Sequence, residues 1–305
     1  MSNKNIKNVA ASIRQKLLNK AQENNRPFNE ILQYYGLERF LYRISTSVYA
    51  DKFILKGALL FAVWQQPETR STVDIDLLGK VSNDPETITR VFQEICETNV
   101  LEDGLRFDST SVTSEQITVD ADYQGVRIRL YGYLNKARVR IQIDIGFYDV
   151  ITPSPEKFNY PTILHISAPR LNCYNKETFI AEKFQAMVKL NILNSRMKDF
   201  YDIWILSERF EFAGNILTES IKNTFKRRET EIREDIIKFL DSFCRDSDKI
   251  KQWKGFLRKA RVQNVPEDLE KIIQDIKRFL NPVIVSIVSG NEFTKTWMPM
   301  KKVWQ

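Results

Sequence analysis

Apolar side chains recur at helical spacing through the first fifty residues, over the stretches 4–22 and 28–48. Gly36 lies within the second stretch, where a glycine is expected to break or end a helical turn. A third apolar stripe predicts a helix over 84–99. After residue 170 the helical pattern returns and predicts further helices over 175–191, 214–228, 229–247, 249–261 and 267–280.

The central region follows a different pattern, because apolar and polar residues alternate with a period of two over 115–146. The stretches 126–134 and 137–145 are joined by Asn135-Lys136, which has the composition of a hairpin turn. Asp144 lies on the polar face of the second stretch, between isoleucines. Aspartate is disfavoured within strands, so this position indicates a role beyond structure.

A shorter strand is predicted over 71–78, and it carries two acidic residues on one face. Asp74 and Asp76 are two residues apart and therefore point to the same side. Two like charges repel unless a cation binds them, and Mg²⁺ takes one or two carboxylates together with substrate phosphates. A pair of solvated aspartates is the alternative interpretation. The opposite, apolar face of the strand is expected to enter the core through Val73, Ile75 and Leu77.

A strand over 52–57 ends at Gly57 and precedes an apolar stretch, 58–64, that predicts a buried helix. A junction of this kind leaves backbone N–H groups that can hold a phosphate, and Lys56 would add a positive charge. An ordinary tight turn fits the same residues. Neither the P-loop pattern nor the dinucleotide-binding glycine pattern occurs.

Two later helices carry charged residues that admit two interpretations. Lys183 flanks the buried stripe of the helix over 175–191, where it could enter a cleft or remain on the surface. Asp199 and Asp202 share a face of the next helix. Arg196 and Lys198 are spaced to pair with them, respectively, and solvated surface ion pairs are the alternative to a functional motif.

Composition excludes several classes of protein. The chain has 305 residues, 43% of them hydrophobic and 28% charged, as in soluble globular proteins. It begins without the apolar core of a signal peptide and holds no apolar run long enough to cross a bilayer, so a cytoplasmic, non-membrane protein is expected. Cys96, Cys173 and Cys244 have no paired spacing, which disfavours zinc sites and disulfides. His165 is the single histidine and is expected to be structural, which argues against a Ser-His-Asp enzyme.

The charge distribution points to an acidic partner without identifying it. Net charge is +7, and the segment 222–261 holds 13 Lys or Arg against 7 Asp or Glu. A basic surface of this kind attracts a phosphate backbone, although interleaved charges also suit solvated helix faces. Together with the strand and helix pattern, these features predict an α+β protein. We expect a sheet-bearing domain over 1–165, with an N-terminal helical layer, and a helical domain over 166–305.

The order of these features resembles the polymerase-β-like nucleotidyltransferases, in which a strand–glycine–helix unit is followed by Asp-x-Asp and a distant strand aspartate. More narrowly, residues 50–205 resemble the AbiEii/AbiGii, or MenT, toxin family. Ala58 is a departure, because the family often has a second glycine and a hydroxyl residue at this point. The resemblance is carried by Phe53-Ile-Leu-Lys-Gly57, Asp74-Ile-Asp-Leu-Leu78, Ile143-Asp144-Ile-Gly146, Glu182-Lys183-Phe-Gln-Ala186 and Ser195-Arg-Met-Lys-Asp-Phe-Tyr-Asp202.

The resemblance implies a nucleotidyltransferase core of mixed sheet flanked by helices, with a C-terminal helical domain. It also implies a magnesium-dependent site in which Asp74, Asp76 and Asp144 hold the metal. The implied catalytic residues further include Lys183, Asp199 and Asp202. The implied nucleotide-binding residues are Lys56, Gly57, Arg196 and Lys198.

The resemblance further implies the substrates and partners of such a toxin. A nucleoside triphosphate would donate a nucleotide to an RNA acceptor, typically the 3′ end of tRNA, and the resulting growth arrest would serve phage defence. A cognate antitoxin would neutralise the activity. Two alternatives are compatible with the residues: a nucleotidyltransferase that modifies a small molecule or a protein, and a non-catalytic nucleic-acid-binding protein of the same fold.

Overall fold

A computed structural model of the protein describes residues 9–66, 72–119 and 123–305. The described chain forms two compact units. Residues up to 66 together with 72–148 and 156–173 belong to the first unit, and 149–155 together with 174–305 belong to the second. The predicted division into domains at residue 165 stays a prediction, although the segment up to residue 173 lies with the first unit here.

The first unit contains a seven-stranded mixed sheet, which confirms the predicted α+β class with a mixed sheet flanked by helices. In spatial order the strands run β3-β4-β5-β2-β1-β7-β6. Strand β2 is parallel to β5 and antiparallel to β1, and β1 is parallel to β7. The strands are β1 (Phe53–Lys56), β2 (Asp74–Gly79), β3 (Leu105–Val119), β4 (Tyr123–Leu134), β5 (Ala137–Phe147), β6 (Glu156–Asn159) and β7 (Arg170–Cys173).

Helices of the first unit confirm most of the sequence pattern and correct one point. Gly36 was expected to interrupt the second helix, but it lies inside that helix. A Cβ at Gly36 would come within 2.6 Å of the Val139 Cγ1 atom, so the glycine serves close packing of helix on sheet rather than a turn. The helices are α1 (Val9–Glu23), α2 (Phe28–Thr46), α3 (Leu60–Val63) and α4 (Pro85–Cys96).

Strands β3, β4 and β5 form an antiparallel meander that buries one face. Leu134 and Ala137 flank the predicted turn at Asn135-Lys136, and this turn fixes the pairing of β4 with β5. Val126, Ile128, Ile141 and Ile143 are buried on one face, as the alternating pattern predicts. The segment 105–114, which the sequence pattern did not assign to a strand, extends β3 along β4.

The second unit is mainly helical, with two corrections to the predicted helices. The stretch 229–247 was expected to be one helix, but only Leu240–Phe243 is helical within it. The last long helix was expected to end at residue 280, but it continues through Pro282 to Ser289. The helices are α5 (Lys176–Leu190), α6 (Met197–Arg209), α7 (Gly214–Arg227), α8 (Leu240–Phe243), α9 (Ser247–Ala260) and α10 (Leu269–Ser289).

The C-terminal tail packs on the second unit through a small sheet. Strands β9 (Thr296–Met298) and β10 (Val303–Trp304) pair with each other, and β9 also pairs with β8 (Phe212–Ala213). Trp297 is buried and donates a hydrogen bond from Nε1 to the Ser207 carbonyl oxygen. Among the described residues, no helix combines the length and the apolar character that a membrane span requires.

Candidate active site

The sheet of the first unit aligns charged residues from five neighbouring strands in one row. Lys56 on β1 pairs in register with Asp76 on β2, and Asp76 pairs in register with Asp144 on β5. Asp144 in turn pairs with Arg127 on β4, which is opposite Glu115 on β3. We call these five residues the charged row. It brings together three of the residues that the sequence singled out, and Gly57 directly follows Lys56.

Asp74 and Asp76 point to one face of β2, as predicted. Both are half-buried, whereas Ile75 and Leu77 between and after them are buried in the core. The prediction for Val73 was wrong, because this residue precedes β2 and is 57% exposed. Asp74 lies two residues before Asp76, the β2 residue of the charged row, and its register partner on β5 is Gln142. The two carboxylates therefore lie on the face that also carries Asp144.

Gly57 lies in direct contact with the Asp76 carboxylate. Its φ of +71° is in the left-handed region, which favours glycine. A Cβ built on Gly57 would come within 1.9 Å of Asp76 Oδ2. The following 3₁₀ turn and α3 are short, and Ala58, which replaces the hydroxyl residue common in similar proteins, is buried. The glycine therefore creates the space that the Asp76 carboxylate occupies.

Asp144 is held by an arginine that the sequence analysis did not select. Arg127 donates from Nε to Asp144 Oδ1 and from Nη2 to Oδ2, each at 2.7 Å. The hydrogen bond to Asp144 raises the pKa of Arg127. The residue could have been found from the sequence, because a two-residue turn at 135–136 places residue 127 opposite residue 144.

The donor set on β2 fits a hard divalent cation with few protein ligands. Asp74 and Asp76 supply two carboxylates on one face, which suits Mg²⁺ that is also bound by phosphate oxygens. Within 9–66, 72–119 and 123–305, no group of three or more His, Cys, Asp or Glu side chains is placed to hold a metal ion. The role of Asp144 as a third ligand stays a prediction, since both its oxygens bond Arg127.

The second unit holds a cluster of buried charges around Lys183. The Lys183 ammonium on α5 lies 2.9 Å from Asp199 Oδ1 and 2.8 Å from Asp202 Oδ2, both on α6. Both aspartates are fully buried, and Lys183 is 12% exposed with its Nζ atom 4.6 Å from the Phe179 ring centre. These acidic residues are therefore not the solvated surface groups that remained an alternative in the sequence.

Two further predicted residues lie at the start of α6. Arg196 directs its Nε atom to Asp199 Oδ2 at 2.7 Å, as its spacing predicted, and its side chain is 31% exposed. Lys198 is exposed, whereas Asp202, its expected partner, is buried against Lys183. The sequence analysis did not select Asn194. Its side-chain Oδ1 accepts a hydrogen bond from the Arg196 backbone N–H, and its backbone carbonyl oxygen accepts one from Lys249 Nζ.

A second buried cluster contacts α5 at Glu182, the residue before Lys183. Arg228 lies with its guanidinium 3.0 Å from Asp149 Oδ1 and 3.4 Å from Glu182 Oε2, and Tyr174 donates to Glu182 Oε1 at 2.9 Å. The Arg228 side chain is 1% exposed. Because Glu182 directly precedes Lys183, this cluster helps to set the position of α5 and hence of the Lys183 side chain. No sequence motif indicated these contacts.

Comparisons with solved structures found distant likenesses. The protein JHP933 from Helicobacter pylori is 13% identical over 83% of this chain and 90% of its own, with a TM-score of 0.44. A protein from the same organism, described as a candidate nucleotidyltransferase, is 12% identical over 83% of this chain and 94% of its own, with a TM-score of 0.42. None of the curated proteins matches the chain in sequence.

The family assignment rests on the sequence itself. The family model described as nucleotidyl transferase AbiEii toxin, type IV toxin–antitoxin system, matches residues 39–275, which is most of the chain. The matched range includes every predicted site residue on both units. The resemblance stated from the motifs is thereby confirmed at the level of the family. The chain belongs to the AbiEii family of nucleotidyltransferase toxins of type IV toxin–antitoxin systems.

Proposed function

We propose that the protein acts in the cytoplasm as a toxin that transfers a nucleotide from a nucleoside triphosphate to a hydroxyl of an RNA acceptor, the 3′ end of tRNA, with Mg²⁺. The observation that carries the proposal is the charged row, in which Lys56, Asp76 and Asp144 are register neighbours on three adjacent strands. Family membership supplies the reaction class and an antitoxin as partner. Transfer to RNA and the identity of the metal are the proposed parts.

In this proposal the acidic residues of the first unit bind the metal and the reacting groups. Asp74 and Asp76 would hold Mg²⁺, which when bound neutralises the triphosphate and polarises its α-phosphate. Gly57 would keep the Asp76 carboxylate in place, and Lys56 would contact a phosphate. The acceptor hydroxyl oxygen would bond to the α-phosphorus as the bond to the leaving pyrophosphate breaks. Asp144 would accept the hydroxyl proton or join the metal site once Arg127 has turned away.

The family resemblance, rather than the placement of the two units, assigns charged residues of the second unit to the triphosphate. Lys183 and Arg196 are partly exposed cations whose positions are fixed by buried carboxylates, which lowers the entropic cost of binding a phosphate. Asp199 and Asp202 would orient Lys183 rather than contact the nucleotide, because both are fully buried. Lys198 is exposed and would add positive charge for the nucleotide.

The test incubates the purified protein with Mg²⁺, each labelled nucleoside triphosphate in turn and total tRNA. Asp76→Asn is the control, since it keeps the shape of the side chain beside Gly57 and removes its charge. We expect label on tRNA with one or more nucleotides for the wild type and at least a hundredfold less for the variant, as befits loss of charge stabilisation. Absence of label from the folded wild-type protein would contradict the proposal.

Each alternative function has its own outcome in the same experiment. Label on a small hydroxyl compound or on a protein, with none on tRNA, would favour a nucleotidyltransferase with another acceptor. Growth arrest that persists in the Asp74→Asn/Asp76→Asn double variant would favour a non-catalytic nucleic-acid-binding protein. No described contact favours either alternative over transfer to RNA.

A further inference from the structure

The meander β3–β4–β5 has an open face that carries arginines and tyrosines beyond the charged row. Along β4 and β5 the register pairs are Tyr133 with Arg138 and Tyr131 with Arg140, and Arg106 on β3 pairs with Tyr133. We call these five residues the arginine–tyrosine face. The opposite face of the same strands is buried in the core. The arginine–tyrosine face therefore continues from Asp144 across the same side of the sheet.

Arginines cover both tyrosine rings of this face. The Arg138 guanidinium carbon lies 4.7 Å from the Tyr131 ring centre, and that of Arg106 lies 5.2 Å from the Tyr133 ring centre. Arg106, Arg138 and Arg140 are exposed, whereas both tyrosines are half-buried. A planar guanidinium held over an aromatic ring presents a flat cationic surface, on which a nucleobase can stack while a phosphate binds at its edge.

Charge on this face separates into a neutralised part and a basic part. Close to the charged row, Arg127 pairs with Asp144, and Arg129 pairs with Glu115. Arg106, Arg138 and Arg140 take part in no ion pair within the described residues. Asp108 is opposite Tyr131, and its carboxylate accepts hydrogen bonds from Thr110. Glu115 is a second acidic group near the face, since the hydrogen bond from Arg129 lowers its pKa most and the charge of Arg140 lowers that pKa further. The end of the face away from Asp144 is therefore net positive.

We propose that the arginine–tyrosine face binds the single-stranded end of the RNA acceptor and leads it to the charged row. The inference rests on the proposed function, for which it names the acceptor surface. Arg140 and Arg138 precede Asp144 by four and six residues on β5, which corresponds to about 13 and 20 Å along an extended strand. This length suits a few nucleotides of an unpaired strand. A polyanion with exposed bases matches both the positive charge of the three arginines and the guanidinium groups that lie over the tyrosine rings.

The alternative location for the acceptor is the basic segment 222–261 of the second unit, and the experiment compares the two directly. Arg138→Ala/Arg140→Ala removes two charges from the face, and Arg258→Ala/Lys259→Ala removes two exposed charges from α9. Binding of a fluorescein-labelled tRNA transcript, without nucleotide, is measured by anisotropy. We expect about tenfold weaker binding for the first variant and little change for the second. The reverse order would overturn the proposal.

Salt dependence distinguishes a direct phosphate contact from a general effect of net charge. Loss of two phosphate contacts to a single strand reduces the slope of log K against log salt by about 1.4. We expect this reduction for Arg138→Ala/Arg140→Ala only. Equal slopes for the face variant and the α9 variant would contradict a phosphate-binding face.

Stacking is tested by Tyr133→Leu, which keeps an apolar side chain on β4. We expect roughly 5- to 150-fold weaker binding of a twelve-nucleotide single-stranded RNA, the cost of one lost base stack, with little effect on a blunt RNA duplex of equal length. A circular dichroism spectrum and a thermal unfolding curve that match the wild type show that the variant folds. Equal losses for single-stranded and duplex RNA would overturn the assignment to an unpaired end.

Failure of this inference is distinguishable from failure of the proposed function. In one case, the wild type and the face variants both transfer label to tRNA with equal Michaelis constants for tRNA. That result would support the proposed enzymatic function and contradict the role of this face in binding the acceptor. In the opposite case, the wild type binds tRNA but transfers no nucleotide, and the face variants lose tRNA binding. That result would support the RNA-binding face and contradict the proposed enzymatic function. Binding of labelled nucleoside triphosphate should be unchanged in all face variants, and a change would contradict the assignment.

Discussion

Gly57 shows how a single residue controls the position of a charged group. Its left-handed backbone ends β1, and the absence of a side chain admits the Asp76 carboxylate against the turn. Lys56, one residue earlier, pairs in register with Asp76 on the neighbouring strand. The order of Lys56 and Gly57 therefore matters at this site. Lys56 can lie beside the Asp76 carboxylate because Gly57 has no side chain to displace that carboxylate.

We expect Gly57→Ala to abolish nucleotide transfer at a moderate cost in stability. The new methyl group would overlap Asp76 Oδ2, and an alanine at positive φ costs about 1–2 kcal/mol. Transfer to tRNA and thermal unfolding are measured together. Gly255→Ala is the matched control, because a Cβ at Gly255 meets no atom within 4 Å and helix α9 should gain about 0.5–1 kcal/mol. Full activity of Gly57→Ala would contradict the role given to Asp76.

Glu38 is a buried acidic residue whose ionisation should make stability depend on pH. Burial raises its pKa to about 7, against the opposing effect of Arg39 and of the hydrogen bond from the Ile163 backbone N–H. An unfolded glutamate has a pKa near 4.3, so the folded state binds a proton more tightly. The associated stabilisation is present below pH 4.3 and is lost as pH rises through 7.

Replacement of Glu38 by glutamine should remove this dependence. Between pH 5 and pH 8, we expect the free energy of unfolding of Glu38→Gln to rise relative to the wild type by as much as ~3 kcal/mol. A constant offset is also expected, because an amide replaces the carboxyl group that accepts a hydrogen bond from the Ile163 backbone N–H and lies 2.8 Å from Arg39. Urea unfolding at both pH values measures the change, and Glu102→Gln, at an exposed site, is the control. A difference that is equal at both pH values would contradict the prediction.

At the scale of elements, Lys183 joins helix α5 to helix α6 through two buried carboxylates. Asp199 and Asp202 are fully buried, so each depends on its cationic partners for compensation. Arg196 Nε lies 2.7 Å from Asp199 Oδ2, and Lys183 Nζ lies 2.8 Å from Asp202 Oδ2. A residue that the family resemblance assigns to the nucleotide is therefore also a structural cation between two helices.

We expect Lys183→Ala to lower the free energy of unfolding by about 3–5 kcal/mol, because it removes the cation that lies within 3 Å of two buried carboxylates. Lys198→Ala removes an exposed lysine from the neighbouring helix α6 and should change stability by less than ~0.5 kcal/mol. Urea unfolding measures both. Asp202→Asn in the Lys183→Ala background should recover part of the loss, since one buried negative charge disappears. Equal stability of Lys183→Ala and the wild type would show that the cluster is not a structural requirement.

The alternating pattern predicted β4, β5 and their turn. One face of each strand is buried, so apolar residues recur at every second position along the sequence. That turn also determines the pairing of Arg127 with Asp144, so this part of the site was accessible from the sequence. Burial of Asp199 and Asp202 was not, because their i,i+3 spacing is the same on a solvated helix. The difference arises from the helices packed around α6, which no local pattern contains.

Local propensity failed where tertiary packing decides the conformation. Gly36 reads as a helix breaker, yet close approach of α2 to Val139 selects it inside the helix. The last long helix was predicted to end at residue 280, two residues before Pro282. Helix α10 instead continues past this proline, with Val283 and Ile284 buried. The stretch 229–247 has an apolar stripe but forms mainly turns, so an amphipathic pattern alone did not determine helix there.

At the scale of the whole molecule, the proposed metal should stabilise one unit and leave the other unaffected. Asp74 and Asp76 belong to the first unit, whereas α6, α10 and the tail sheet belong to the second. A metal that binds only the folded first unit, at about 100 times its dissociation constant, adds ~2.7 kcal/mol to the stability of that unit. Hydrogen exchange resolves the two units, since each backbone amide reports the opening of its own surroundings.

We therefore expect Mg²⁺ to slow exchange in β2 and β5 and to leave α10 and β9 unchanged, with sodium chloride at equal ionic strength as the control. Asp74→Asn/Asp76→Asn should abolish the protection, because it removes both carboxylates from the face of β2. Chelation should stop nucleotide transfer without unfolding the protein, since the described residues include no group of three or more His, Cys, Asp or Glu side chains placed to hold a structural metal. Protection that persists in the double variant would place the metal elsewhere, and protection of α10 alone would transfer it to the second unit.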